Sequence, residues 1–508
     1  MVVGAGPAGL AGAVTAAERG LSVALLDGDA RLGGQFYRHP APALGAARPD
    51  ALHHDWRAFA ALRRRWEAGD GVHLAEHHVW TVASERLATP GTGAAGACWA
   101  VHAVTGPDGD RGRPVTVRGR ALLLATGAAE RHLPFPGWTL PGVVGAGGAQ
   151  ALLKAGLVLP GRRIVVAGSG PLLLAVASSL TAAGARVPAV VEASGYLGYA
   201  RAPGVVASVP EKAAEAVAHL APLLRHGAHP FPRHAVIRAH GADRVEAVTV
   251  ARLDRDWRPV PGTGRRLDCD AVAVGHGLVP RIELASALGC AVRRAADGAE
   301  ALVLDTGQAT SVPGVWSAGE TAGPGGSRLA LAEGELAGLA VVRRLRGTGT
   351  GVPPARLRAL LRTRARLRAF AGLMTRAHAP GEGWPEWLDD ATEVCRCEEV
   401  TAGRIRAAVD GLGAGDARSV KLLTRAGMGW CQGRVCGAAV ACLARPGTAG
   451  RARGAAALPA SPERRTPAVP VTLGTLASLA PASPPGPAPD RDGAPADEPL
   501  PAPRRPHH

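Results

Sequence analysis

The first 29 residues, MVVGAGPAGLAGAVTAAERGLSVALLDGD, constrain the fold more than any other stretch. An apolar strand runs into Gly4, Gly6 and Gly9, an Ala-rich helical run follows, and a second apolar strand ends at Asp27. Strand, helix and strand in such quick succession build a parallel sheet with helices packed on it. The glycines of the turn Gly4, Gly6, Pro7, Ala8, Gly9 allow a tight bend and a close approach of backbone to a pyrophosphate, which the helix N-terminus then faces. Asp27, 18 residues beyond Gly9, is placed to accept hydrogen bonds from a ribose.

The glycine pattern alone is weak. With 68 Gly in 508 residues, about one GxGxxG is expected by chance, and a second copy does occur at Gly91, Gly93 and Gly96. That copy lies in a Pro/Thr/Ala loop with no strand before it and is set aside as a decoy. The first copy keeps its strand, helix and acid. Only Met1, Val2 and Val3 precede Gly4, whereas a strand ordinarily has about five residues, so the expectation is a truncated or misassigned start.

At 508 residues the chain has room for about three domains. Hydrophobic residues at 47% with only 4% aromatics favour an α/β core packed with Ala, Val and Leu. The formal charge of +16 would ordinarily suggest nucleic acid. Here the arginines are scattered among Ala, Gly and Pro without a basic block or interleaved aromatics, which argues against a nucleic-acid partner. No apolar run of about 18 residues escapes a charge or Pro, so no integral membrane segment is expected. The chain opens without a basic n-region, and eight cysteines in this length do not make a disulfide framework; the expected compartment is the cytoplasm.

Further along, Gly33, Gly34 and Gln35 form a permissive loop where a dinucleotide would make a second close approach. A helix is expected around DWRAFAALRRRWEAG, with strands at VHLAEHHVW and ACWAVHAVTG. A buried strand, Leu122 to Ala125, ends in Thr126-Gly127. A second nucleotide-type strand and turn begin at Ile164 with Gly168 and Gly170, but Leu173 holds the third glycine position, where it would keep helix and strand apart. Glu192, ending the next strand, favours a free ribose 2′-OH and hence NAD over NADP. Two readings stay open there: NAD or another adenine nucleotide, and a relic of the fold. Residues 350–390 read as an arginine-rich helical connector. After about Pro446 the Pro/Ala/Arg/Ser composition reads as a flexible tail in which VPVTLGTLASL docks on a surface.

Near the end stand Cys395, Cys397, Cys431 and Cys436, a C-x-C pair, 33 residues, then C-x4-C. TAGRIRAAVDGLGAG and DARSVKLLTRAGMG read as two short helices joined by a Gly loop, which brings the pairs face to face. Four thiolates suit either Zn2+ or a [2Fe-2S] cluster. Cys98, Cys269, Cys290 and Cys442 are isolated and read as small core hydrophobes. No CxxC lies near either glycine turn, which removes redox-dithiol chemistry.

Taken together, GxGxxG, GGQFYR, ATGAAER, PFPGWTLPGV, GAQALLK, LPGRRIVVAGSGPLLLA, VGHGLVP and TSVPGVWSAGETAGPGG resemble the two-dinucleotide-domain flavoprotein reductases. Over roughly residues 1–440 the resemblance is to the FAD-dependent α subunits of heteromeric amine and imino-acid dehydrogenases, of the opine oxidase, D-hydroxyproline dehydrogenase and hydrogen cyanide synthase type. It implies Gly319 and Glu320 near the ribityl-pyrophosphate of FAD, with Glu320 standing where many relatives carry Asp. CRCEEVT and GMGWCQGRVC are similar to the bacterioferritin-associated-ferredoxin-like module, which implies a [2Fe-2S] cluster on the four cysteines.

The implied architecture is α/β, with two Rossmann-like domains of the pyridine nucleotide-disulfide reductase kind, the second inserted in the first, plus a small helical iron–sulfur domain. FAD binding is expected over 1–130 and 275–345, the insert over 131–274, the connector over 346–390, the cluster domain over 391–445 and the tail over 446–508. The implied function is electron relay through FAD and the cluster in an oxidoreductase of amines, opines or imino acids. The implied partners are a D-amino-acid-oxidase-like flavoprotein subunit together with a small ferredoxin-like subunit. No His/acid pair in a motif context offers itself as a general base, in keeping with a subunit that does not hold the amine. The rival readings are a stand-alone NAD(P)H-dependent reductase and a non-catalytic nucleotide-binding iron–sulfur scaffold.

Overall fold

A computed structural model describes residues 1–51, 53, 55–88, 95–106, 112–347, 351–444 and 467–479. Two five-stranded parallel sheets organise it. In the first, the order is Val315–Ser317, Leu122–Leu124, Val2–Val3, Ala24–Leu26, Val72–Leu74. The N-terminal strand, two residues long, is central: Val2 and Val3 pair with Leu25 and Leu26 on one side and with Leu123 and Leu124 on the other. In the second sheet, Ile164–Gly168 is central, between Ala189–Glu192 and Ala271–Gly275. Both faces of these strands are covered, so Ile164–Gly168 is an unbroken apolar run with every residue buried.

Each sheet carries a three-stranded antiparallel layer, His77–Ala88 with Ala95–Thr105 and Pro114–Gly119 on the first, His234–His240 with Ala247–Arg252 and Arg265–Asp268 on the second. The chain crosses between the two units where Ala128–Glu130 pairs antiparallel with Leu278–Pro280. Of the glycine pattern set aside as a decoy, Gly91 and Gly93 lie outside the described residues, while Gly96 pairs with Leu87 in a hairpin.

Two helices close the first unit. Pro7–Ala17 and Ser327–Arg346 pack on glycine: a Cβ at Gly334 would strike the Ala8 carbonyl, and one at Gly338 would lie 2.7 Å from the Gly12 carbonyl oxygen. This close approach holds the turn after Ser317 against the first glycine turn. The arginine-rich connector is the 24-residue helix Pro354–Ala377.

Residues 393–444 form a hairpin, Glu393–Cys395 with Val400–Thr401, and the helices Ala402–Leu412, Ala417–Thr424 and Gly437–Leu443. Thr401 and Asp416 cap the first two through Arg404 N and Ser419 N. This module shares one core with the second unit: Val394, Ile405, Val420 and Val440 are continuous with Leu133, Ala235, Leu253 and Trp257. Within the stretch expected as a tail, residues 467–479 lie against the structure, with Pro467 O accepting from Arg434 and Ala468 N donating to Trp80 O.

Candidate functional site

The first glycine turn owes its shape to three different demands. Gly4 has φ +101° and a Cβ there would strike the Ala125 carbonyl; a Cβ on Gly9 would strike the Gly4 carbonyl. Gly6 instead faces open space, with the Gly34 Cα 4.0 Å from the position a Cβ would take. Gly34 itself has φ +57°, and Gly33 N donates to Ala5 O at 2.9 Å, so the GGQ loop lies on the turn and two bare backbones line one mouth. Pro7 opens the helix. Asp27 accepts from Ala5 N and, at 2.7 Å, from Asp29 N. Burial raises its pKa, partly offset by those two N–H groups. Gln35 is exposed and accepts from Arg38, which also pairs with Asp29.

The turn after Val315–Ser317 completes this mouth. Gly319, φ +84°, sits against the first turn of the helix Pro7–Ala17, where an added Cβ would lie 2.9 Å from Ala8 Cβ. Glu320 Oε1 accepts from Gly325 N at 3.3 Å and Gly326 N at 3.0 Å, whereas Oε2 is buried with no partner. Burial holds this carboxyl above its ordinary pKa. A buried acceptor without a partner is satisfied by the O–H of a sugar or ribityl hydroxyl, so these residues fit an FAD-like ligand. Thr126 Oγ1 donates to Arg281 O at 2.6 Å, and Gly127, φ +73°, has open space where a Cβ would stand.

Three functional side chains escaped the sequence reading. Glu333 is fully buried and accepts from Gly319 N at 3.1 Å. Arg368, from the connector helix, donates to Glu333 Oε2 at 2.7 Å, to Gly323 O at 2.5 Å and to Gly319 O at 3.3 Å. The connector is therefore a clamp on the 319–323 turn. The available signal was Arg364 and Arg368 lying one helical turn apart on the apolar stripe of Leu360, Leu367 and Ala371. The third, Glu130, accepts from Gly147 N at 2.7 Å and Gly148 N at 3.2 Å, satisfying the N-terminus of Ala146–Gly156.

The second glycine turn brings Gly168, Gly170 and Glu192 together as expected, then closes over them. A Cβ at Gly168 would strike the Gly275 carbonyl, and Gly170 N donates to Glu192 Oε2 at 2.9 Å. Glu192 Oε1 accepts from Ser194 N at 2.9 Å and faces His378 Nδ1 at 3.4 Å. Ser169 Oγ donates to the His378 carbonyl at 3.1 Å, and Tyr199 OH meets His378 Nε2 at 2.9 Å. Leu173, only 2% exposed, packs into the core. His378 and Glu192 thus meet over the turn, joined by the fold across 186 residues and not by a motif.

The four cysteines converge. Cys397 lies against the thiol and N–H of Cys431, and Cys436 against Cys395. Burial and the neighbouring thiols push the Cys436 thiol far up. Among the described residues no group of three or more His, Cys, Asp or Glu side chains is arranged to hold one metal ion. Gly427 N donates to Cys395 Sγ at 3.4 Å, and Gly429 leaves room for Cys397, whose Cβ an added side chain would strike. Cys395 and Cys436 are buried, Cys397 is exposed and Cys431 intermediate.

Both dinucleotide units anchor this loop. Trp138 Nε1 donates to Glu393 O at 2.7 Å with Arg396 over its ring, and Arg434 pairs with buried Glu283 at 3.2 Å. His276, beside Trp257 and Trp387, is held neutral by burial, its pKa pushed down to about 3. Cys98, Cys269 and Cys290 are buried apart from the quartet, and Cys269 is pushed up to about 12 by burial.

Residues 1–335 match the family model described as pyridine nucleotide-disulphide oxidoreductase, and residues 393–444 the BFD-like [2Fe-2S] binding domain. The chain is 34% identical to hydrogen cyanide synthase subunit HcnB of Pseudomonas protegens, over 86% of this chain and 89% of that one. It is 33% identical to an opine oxidase subunit of Rhizobium meliloti, over 87% and 91%. The solved structure of L-proline dehydrogenase from P. horikoshii shares the fold, with a TM-score of 0.61 at 20% identity, covering 94% of this chain and 78% of that one.

Proposed function

Because the chain belongs to the pyridine nucleotide-disulphide oxidoreductase family and ends in a BFD-like [2Fe-2S] domain, we propose that it is the electron-relaying subunit of a heteromeric amine, opine or imino-acid dehydrogenase. It carries FAD and a [2Fe-2S] cluster. In this reading Gly4, Gly6, Pro7, Ala8, Gly9, Asp27, Gly33, Gly34, Gln35, Thr126, Gly127, Gly319 and Glu320 hold FAD, and Cys395, Cys397, Cys431 and Cys436 hold the cluster. When bound, the two groups supply hydride and single-electron chemistry.

The chain's own residues do the rest. Backbone at Gly6 and Gly34 admits the pyrophosphate, Glu320 Oε2 takes a hydroxyl proton donor, and Arg368 with Glu333 fixes the 319–323 turn against the helix Pro7–Ala17. The observation that carries the reading is the continuous core between the cluster module and the second unit. It joins the thiol quartet to the second unit, and the Arg434–Glu283 pair ties the same module to the first, an attachment that a relay requires and a tethered ferredoxin does not.

The substrate-oxidising step falls to a D-amino-acid-oxidase-like partner, with a small ferredoxin-like protein completing the complex. Co-purification from the native host followed by mass spectrometry tests this. The expected result is two such partners and a visible spectrum bleached by an amine or imino acid only when they are present. A chain that purifies alone and shows no flavin band contradicts it. Cys431→Ser is expected to abolish the cluster absorbance and most of the iron; unchanged iron would overturn the ligand assignment.

A further inference from the structure

The second glycine turn has the backbone of a nucleotide site, but Gly168, Ser169 and Gly170 are buried and access is left only from the side of exposed Pro171 and the open space beside Gly170. At the first turn, by contrast, Gly4, Gly6 and Pro7 are partly exposed. What covers the second turn is the end of the connector. The helix Pro354–Ala377 stops at His378, whose carbonyl accepts from Ser169 Oγ at 3.1 Å and whose ring faces Glu192 at 3.4 Å and Tyr199 at 2.9 Å. His378 is 8% exposed, Ser169 2%, Glu192 4% and Ser194 5%.

A dinucleotide at such a turn needs accessible loop N–H groups for its pyrophosphate and a free carboxylate edge for its ribose. Here Glu192 holds Gly170 N with one oxygen, as Asp27 holds Ala5 N at the first turn, but its other oxygen is met by the His378 ring. The residues present do not fit a bound nicotinamide nucleotide in this arrangement.

We propose that His378 and Tyr199 form a built-in cap that shuts the second dinucleotide fold, so that this unit serves as a platform for the cluster module and not as an entry for NAD(P)H. The connector helix that closes the second turn through His378 is the one that, through Arg368, clamps the 319–323 turn packed beside the first. One helix thus acts at both places, with opposite results. The inference rests on the family reading of the second unit as dinucleotide-type. Its readout is binding by this chain alone, so its failure is distinguishable from failure to find an amine-oxidising partner.

The test is calorimetric titration of the purified full chain with NAD+, for wild type and for Ser169→Ala/His378→Ala, which removes the ring contacts and the seryl donor. Each of the three contacts is worth roughly a factor of five. Apparent affinity is divided by the fraction of open molecules, so opening the cap is expected to tighten binding by on the order of a hundredfold. Wild type is expected to show no saturable heat. Saturable NAD+ binding by wild type overturns the proposal. So does a double variant that keeps its flavin absorbance and circular dichroism yet binds no better than wild type. Tyr199→Phe, which removes a single contact, is expected to fall between the two.

Discussion

At the first glycine turn Gly4 and Gly6 are partly exposed around buried Ala5, while at the second Gly168, Ser169 and Gly170 are all buried and only the following Pro171 is exposed. Yet both turns leave the central strand of a five-stranded parallel sheet, and both spend one carboxylate oxygen on a loop N–H, Asp27 on Ala5 and Glu192 on Gly170. The second carboxylate oxygen accepts from the residue two further on in each case, Asp29 and Ser194. What separates them is therefore not the motif. It is what a distant helix lays across it. A glycine turn specifies a backbone path; exposure decides whether that path is used for a ligand.

The most severe way to break the comparison is to give the first turn the second one's third position. Gly9→Leu would drive a side chain into the Gly4 carbonyl, and overpacking of this kind costs about 1–3 kcal/mol or more. FAD retention is expected to fall by roughly a hundredfold, measured as flavin released per protein on gel filtration. Retained flavin would show that close packing at Gly9 is dispensable.

Next in size is the clamp. Arg368→Leu leaves Glu333 buried against Gly319 without its main cation, which costs about 3–5 kcal/mol. The thermal midpoint should drop by several degrees, and flavin should be lost before the cluster. A variant as stable as wild type would mean that the connector is only a tether.

Leu173→Ala sharpens the contrast from the other side. Removing this core side chain is expected to cost about 2–5 kcal/mol without creating NAD+ binding, because the cap rather than Leu173 closes the turn. NAD+ binding by this single variant would shift the blame to Leu173.

The smallest effect concerns Glu320. Burial raises its folded pKa above the ordinary 4.5, so its contribution to stability is full below that value and is lost as pH rises through the raised one. Glu320→Gln lacks that loss. Its thermal midpoint relative to wild type is expected to improve on going from pH 4.5 to 7; a constant difference would show that the carboxyl is not perturbed.

These contrasts also mark what could be read from the chain beforehand. Gly4, Gly9, Gly168 and the paired cysteines announce themselves because each answers a local demand: a positive φ, a close contact or a thiol spacing. Arg368 with Glu333, and Ser169 with His378, answer none. The latter two lie 209 residues apart, and their partnership follows from where the connector helix ends in space. Glu320 lies between these cases. Its position in the pattern placed it beside the flavin-type mouth, but that one oxygen turns to Gly325 and Gly326 depends on the following turn. The expected tail shows the same limit, since Pro467 and Ala468 find partners at Arg434 and Trp80.

In the proposed relay, electrons enter the flavin from a partner and not from nicotinamide. Its most direct test is anaerobic titration of the purified full chain with NADH, followed at the flavin and cluster absorption bands and completed with dithionite. The account predicts both bands unchanged by NADH and fully bleached by dithionite. Stoichiometric bleaching by NADH would contradict it.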